Sequence, residues 1–286
     1  MSSLFRRPTF STFVVLIFLL LTETLGHPAR RRPLPKIMDG NPARPGEFPY
    51  LVLLEAWQGE ESTGRYEPIC GGAILNPTTI LSAAHCFLSV HSTSWRVVAG
   101  EYDLTRDEGT EQVRVLDRIV LREGFDFATY DNDLALALIS ADNPLHLDGL
   151  FASAISLPSS SYDSDLVGKL GRVAGWGSMD GSDLDFSPIL NKVDLPLQSD
   201  EVCESVWGGA FTAGQKLCAG TLAGGRDTCH GDSGAPLVVD GVVVGIVSFG
   251  EGCGQVDRLG VYVRVSHYVK WIHHAIRLIE EEGNNL

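Results

Sequence analysis

A hydroxyl acts as a nucleophile when a base lies within hydrogen-bond reach, a carboxylate orients that base, and backbone N–H groups meet the charge formed on the attacked oxygen. Three separated stretches of the chain hold such pieces. Gly231-Asp232-Ser233-Gly234 puts a serine in a turn whose glycines let the backbone approach a substrate and aim N–H groups at it. The run ILSAAHC, residues 80–86, sets His85 at the end of an apolar strand beside a cysteine that can pin it. Asp131-Asn132-Asp133 leads into LALALI, so Asp133 abuts buried strand and needs a hydrogen-bonding partner there, an imidazole or water at a strand end. Asp131 is the alternative carboxylate. Taken singly, each piece also has a plain structural use, as a polar surface turn, a packed histidine or a solvated acid.

The elements that must position these residues read mostly as strands. Short apolar runs at 51–54, 73–75, 80–84, 95–99, 113–121 and 134–139 alternate with turn signals, and the pattern resumes at 172–176 and 192–197. Residues 237–239 and 242–249 flank Asp240-Gly241, a strong hairpin signal. Only the end reads as helical, with Val269, Ile272, Ile276 and Ile279 at helical spacing behind a cap at Ser266. His273-His274 on that helix is expected to face solvent.

The 286 residues are enough for one large domain or two moderate ones, and too many for a disulfide mini-protein. Lys plus Arg number 22 against 36 Asp plus Glu, a net charge of −14, and no basic block beyond Arg30-Arg31-Arg32 offers phosphates a patch, so no nucleic-acid partner is expected. An apolar share of 44% with interspersed charge excludes a disordered or coiled-coil chain, while 31 glycines and 14 prolines indicate many tight turns. Residues 1–26 read as a secretory signal: Arg6 and Arg7 precede an apolar run at 13–21, and Thr24-Leu25-Gly26 offers a cleavage site. That run is too short for a transmembrane helix, so stable membrane association is not expected. HPARRRPLPK, residues 27–36, is an exposed linker open to proteolysis. Six cysteines follow, Cys70, Cys86, Cys203, Cys218, Cys229 and Cys253; in an oxidising compartment they imply three disulfides, with fifteen connectivities open on spacing alone.

ILSAAHC, DNDLALAL and DTCHGDSGAP together resemble the trypsin and chymotrypsin serine proteases over residues 37–279. The order His, Asp, Ser is that family's order, unlike that of α/β hydrolases or subtilisins, and no Gly-x-Ser-x-Gly elbow surrounds Ser233. The resemblance implies an all-β catalytic domain at 37–286, with two antiparallel six-stranded β-barrels at roughly 37–145 and 150–265 and a C-terminal α-helix. It implies a secreted, monomeric, trypsin-like serine endopeptidase in which Ser233 is the nucleophile, His85 the base, Asp133 its orienting acid, and Gly231 with Ser233 the oxyanion donors. Cofactors are not required for that chemistry. The wording is most similar to invertebrate digestive trypsins. A binding protein on an inactive protease fold, or a membrane-tethered or cascade protease, are the rival classes; the first would need a broken triad, the second accessory segments.

By the same resemblance Asp227 sits at the base of a specificity pocket with Ser248, Gly250 and Gly260 around it, which implies cleavage after Arg or Lys. Leu259, Phe249 and Ala235 depart from the family's usual residues. Lys36-Ile37 resembles an activation junction, so residues 27–36 would be a propeptide whose removal frees the Ile37 amine to pair with Asp232, and Lys36 suits the enzyme's own pocket. Without residues 1–36, which hold six cations and one acid, the remainder carries 16 basic and 35 acidic residues, net −19, a charge that steers cationic substrates. The family's pairings would be Cys70–Cys86, Cys203–Cys218 and Cys229–Cys253. Glu101, Glu108 and Glu111, with the carbonyls of Asp103 and Arg106, match its calcium loop, so a structural calcium is expected. Polypeptides carrying Arg or Lys, and protein protease inhibitors, are the expected partners.

Overall fold

The computed structural model describes residues 40–60, 62–88, 94–159, 162, 166–178 and 186–283; the segments read above as signal and propeptide, with the Lys36-Ile37 junction, lie outside them. Among the described residues thirteen strands are joined to one another by antiparallel pairings, in two sheets. The first closes into a six-stranded barrel of β2 (Leu51–Gln58), β3 (Arg65–Asn76), β4 (Thr79–Ser82), β7 (Ala135–Ile139), β6 (Gln112–Leu121) and β5 (Trp95–Ala99), in that order around the ring. The second runs β1 (Asn41–Pro42), β9 (Asn191–Pro196), β8 (Leu170–Gly175), β11 (Pro236–Val239), β12 (Val242–Phe249), β13 (Gly260–Arg264), β10 (Lys216–Ala219). Its ends meet where Leu197 bridges Ala219 and the N–H groups of Gln198 and Gly220 donate to Cys218 and Pro196 at 3.0 Å each. Six strands thus form a second barrel, with the two-residue β1 added outside it.

Continuous apolar strands are explained by burial on both faces. Alternate residues of a strand point opposite ways. In β2, Val52, Leu54 and Ala56 join the core of the first barrel with Ile74, Ile80 and Leu136, whereas Leu51 and Leu53 join Val173, Leu195 and Leu237 of the second sheet. Strand β6, by contrast, is half exposed along its length. The barrels approach so closely that a Cβ added to Gly71 would stand 2.9 Å from that of Ala235, while the Gly71 N–H donates to the Ser233 carbonyl at 2.7 Å.

Among the described residues there are three α-helices, α1 (Ala84–Leu88), α2 (Asp200–Trp207) and α3 (Val265–Gly283), and a short 3-10 turn at Gly208–Ala210. Two of them correct the sequence reading. Strand β4 stops at Ser82, so His85 sits on the short α1 rather than at a strand end. Helix α2 is capped by Ser199, whose hydroxyl accepts the Val202 N–H at 3.4 Å, with Asp200 and Glu201 in its first turn. Ser266 also lies inside α3, one residue past its start, so it is not the cap. The Asp240-Gly241 hairpin is as expected, with φ of 50° and 79° giving the twist a two-residue turn requires. His273 and His274 are both exposed. The disulfides are Cys70–Cys86, Cys203–Cys218 and Cys229–Cys253.

Ile80 is wholly buried in the first barrel. Ile80→Ala in the full chain is expected to lower the unfolding free energy by about 2–5 kcal/mol in a urea titration; a loss below about 0.5 kcal/mol would place this side chain outside the core, as for an ordinary surface change.

Candidate active site

Asp133 is fully buried at the mouth of β7, and donors from both barrels surround its carboxylate. The backbone N–H of His85 donates to Oδ1 at 2.8 Å, the His85 Nδ1 lies 2.8 Å from Oδ2, and the Ser248 hydroxyl donates to Oδ2 at 2.6 Å. Three partners fix the carboxylate, and the carboxylate in turn fixes the imidazole. With Nδ1 directed at Asp133, the opposite nitrogen, Nε2, is the one available to a reacting group. The Cys70–Cys86 bridge ties α1 to β3 one residue beyond His85. Asp131, the alternative acid, is turned the other way, toward Thr212 and Lys216 at 2.7 Å each.

Ser233 lines the same cleft as His85. Its turn is held from both sides, by the Gly71 N–H on its carbonyl and by the Gly234 N–H donating to Val247 at 2.9 Å. Gly234 has φ +77°, and a Cβ there would stand 2.3 Å from the Ser82 hydroxyl, so only glycine fits. The N–H groups of Gly231 and Ser233 donate to no described residue.

The cleft encloses about 260 Å³ and reaches down to Asp227. That carboxylate is 6% exposed and accepts the N–H groups of Thr228 at 2.8 Å and Gly254 at 3.0 Å. Burial pushes it up to about 6, against the pull of those two bonds. Gly250 and Gly260 wall the pocket. A Cβ on Gly260 would come within 3.0 Å of the Asp227 carboxylate, and one on Gly250 would meet the Gly252 carbonyl in ordinary contact at 3.8 Å. Ser248 also lines the cleft, but its hydroxyl serves Asp133. The Cys229–Cys253 bridge frames the rim.

Asp232, next to the serine, is fully buried and accepts N–H groups from Cys229 and Gly177 at 2.9 Å each. Burial pushes its carboxyl up to about 7 and nearby Asp227 adds to the rise. Among the described residues no cation faces it. In the acidic loop, the carboxylates of Glu101, Glu108 and Glu111 converge within 4.8 Å of one another. Burial, then the neighbouring Glu111, Glu55 and Glu108 charges, push Glu101 up to about 7 despite its bond from the Tyr102 N–H. The Arg106 guanidinium meets Glu108 at 2.9 Å and Asp103 at 3.1 Å. The Asp103 carbonyl accepts the Arg106 N–H at 3.0 Å.

Sequence reasoning missed Tyr130, which faces His85 at 5.6 Å and Phe249 at 5.2 Å between ring centroids, and Lys216, which lies 5.4 Å from the Phe249 ring. Neither stands in a recognisable string. Tyr130 directly precedes Asp131-Asn132-Asp133, and the lysine looks like an ordinary exposed strand start.

The family model described as Trypsin matches residues 37–272. Trypsin-3 of Salmo salar is 37% identical over 237 residues, which is 83% of this chain and 91% of the salmon protein. Trypsin of Sus scrofa is 35% identical, covering 84% of this chain and 96% of its own length. Trypsin Blo t 3 of Blomia tropicalis is 34% identical over 82% of this chain and 84% of its own, so vertebrate and mite relatives match to much the same extent. Among the described residues no helix is long and apolar enough to cross a membrane. The chain belongs to the trypsin family and is a trypsin-like serine endopeptidase.

Proposed function

We propose that the protein is a secreted enzyme, made as a zymogen, that hydrolyses polypeptides after Arg or Lys. The observation that carries this reading is one cleft holding an aspartate-bound His85, Ser233 and the buried Asp227. Ser233 Oγ attacks the scissile carbonyl as His85 Nε2 takes its proton, and the oxyanion accepts the N–H groups of Gly231 and Ser233. The intermediate collapses, the amine leaves with the proton from His85, and water repeats the cycle to free the acyl group and restore the serine. Asp133 holds the imidazole in register and stabilises its charged form. A guanidinium or ammonium reaching Asp227 offsets the cost of that buried charge, and the planar fork of Arg matches it better than Lys. The test is hydrolysis of matched peptides ending in Arg, Lys, Phe or Ala by chain cut after Lys36, with Ser233→Ala as blank. Turnover of Arg and Lys peptides alone is expected, and Asp227→Ser is expected to lower kcat/KM on Arg by about 10²- to 10⁴-fold, the cost of breaking a buried charge pair. Equal turnover of the Phe peptide would overturn the specificity.

Activation follows from Asp232. Cutting after Lys36 frees the Ile37 amine, an ammonium suited to a buried carboxylate that otherwise lacks a cation. A carboxyl raised from 3.8 to about 7 binds its proton more tightly in the folded chain than in the unfolded one. Folding stability is therefore lost as pH rises from about 4 through about 7, and Asp227, raised to about 6, acts in the same direction. An uncut Lys36→Gln, Ser233→Ala precursor is expected to be less stable at pH 8 than at pH 5, and Asp232→Asn to reduce the difference without abolishing it, since Asp227 and Glu101 are raised as well. Ser233→Ala chain cut by an added protease should regain stability at pH 8; a precursor and cut chain with the same pH profile would contradict the pairing.

Glu101, Glu108 and Glu111 fit a hard divalent cation, because three converging carboxylates repel one another without it. They would hold calcium together with the carbonyls of Asp103 and Arg106. Millimolar calcium is expected to raise the melting temperature of Ser233→Ala protein relative to chelator, and Glu101→Gln to blunt that rise. An identical melting curve with and without calcium would remove the metal.

A further inference from the structure

The geometry assigns Lys216 as a positioning residue that, from beneath the cleft, holds Tyr130 and Phe249 as a wall for the substrate residues preceding the cleaved one. This rests on the proposed reading of the cleft. Lys216 opens β10, and its side chain is 3% exposed. A buried ammonium must give all three protons to acceptors. Here they go to the carbonyls of Thr129 at 2.5 Å and Ala210 at 2.8 Å and to Asp131 Oδ1 at 2.7 Å. Two of those acceptors belong to the first barrel and flank Tyr130.

Tyr130 needs such a grip. Its φ is +55°, a left-handed conformation that a bulky side chain adopts only when its surroundings enforce it. Its two chain neighbours are anchored to one nitrogen, and Asp131 is held a second time by the Thr212 hydroxyl at 2.7 Å. Burial would raise the Asp131 carboxyl, yet its bonds to Lys216 and Thr212 and the lysine charge hold it below its ordinary value. The ammonium also sits 5.4 Å from the Phe249 ring, which Tyr130 faces at 5.2 Å and Trp207 braces edge-on at 5.2 Å. One buried cation therefore fixes both rings, and both line the cleft.

Asp133 does not depend on this grip. Two residues beyond Asp131, it is held by His85 and Ser248. Loss of the lysine should thus loosen the wall before the triad, a split that general destabilisation would not give.

The test compares wild type, Lys216→Met and Lys216→Met with Asp131→Leu on two substrates, a blocked single-residue arginine ester and a peptide with apolar residues ahead of Arg. For Lys216→Met, KM on the peptide is expected to rise about ten-fold, while kcat on the ester changes far less. Replacing the whole ion pair with apolar side chains should restore the melting temperature lost in the single variant, because no acid is left unpaired, without restoring the peptide KM. Amide hydrogen exchange of residues 129–131 should quicken in Lys216→Met whatever the activity. An unchanged ratio of peptide to ester turnover, an equal loss of kcat on both substrates, a peptide KM restored in the double variant, or unchanged exchange would each overturn the assignment. A wild-type chain that turned over neither substrate would instead sink the reading of the cleft, with the exchange result still deciding the grip.

Discussion

A carboxylate with no access to water must be surrounded by donors, and the fold around Asp133 follows from that requirement. Its oxygens take a backbone N–H and a ring nitrogen from α1 of the first barrel and a hydroxyl from β12 of the second. Neither barrel supplies all three. The carboxylate is therefore solvated only when the barrels are docked, and docking is also what brings Ser233 opposite His85. The apolar outer faces of β2 and β5, with Leu51, Leu53 and Val98 packed into the core of the second sheet, hold that arrangement in place.

Two buried aspartates near the cleft show what burial does to a carboxylate with few donors. Asp227 and Asp232 have two backbone donors each, too few to cancel desolvation, and both are held above the usual carboxylate range. The excess at Asp227 opens onto a pocket, whereas that at Asp232 is closed off beside Ser233. On the proposed reading, affinity for a cationic substrate and dependence on a newly made terminus would be two uses of one unfavourable energy.

Much of this was legible in the residues themselves. The strands announced themselves as apolar runs between turn signals, and the three residues the cleft brings together, with Asp133 behind His85, stood in three strings in one order. The barrel of β2 to β7, the hairpin at Asp240-Gly241 and the exposed His273-His274 are as read. Helix α1 was hidden because it begins inside the mostly apolar run ILSAAHC, and such a run has the same look as strand or short helix until a partner selects one. Helix α2 left a sign, Ser199 before two acids, that its brevity obscured. Lys216 left none: a lysine before an apolar strand is ordinarily solvated, and it takes the Thr129 carbonyl and the Asp131 carboxylate, distant in sequence, beside the nearer Ala210 carbonyl to make its burial tolerable. Contacts of that sort belong to tertiary structure and have no local signature.

The order of the elements along the chain has a consequence for synthesis. His85 and Asp133 both belong to the half that leaves the ribosome first, while Ser233, Ser248 and the Asp227 pocket all lie in the later half. A nascent chain can therefore fold the first barrel early, yet Asp133 gains its full set of donors, and His85 a serine in the same cleft, only when β11 and β12 have emerged and closed against that barrel. On the proposed reading, peptide-bond cleavage is thus unavailable to a partly made molecule.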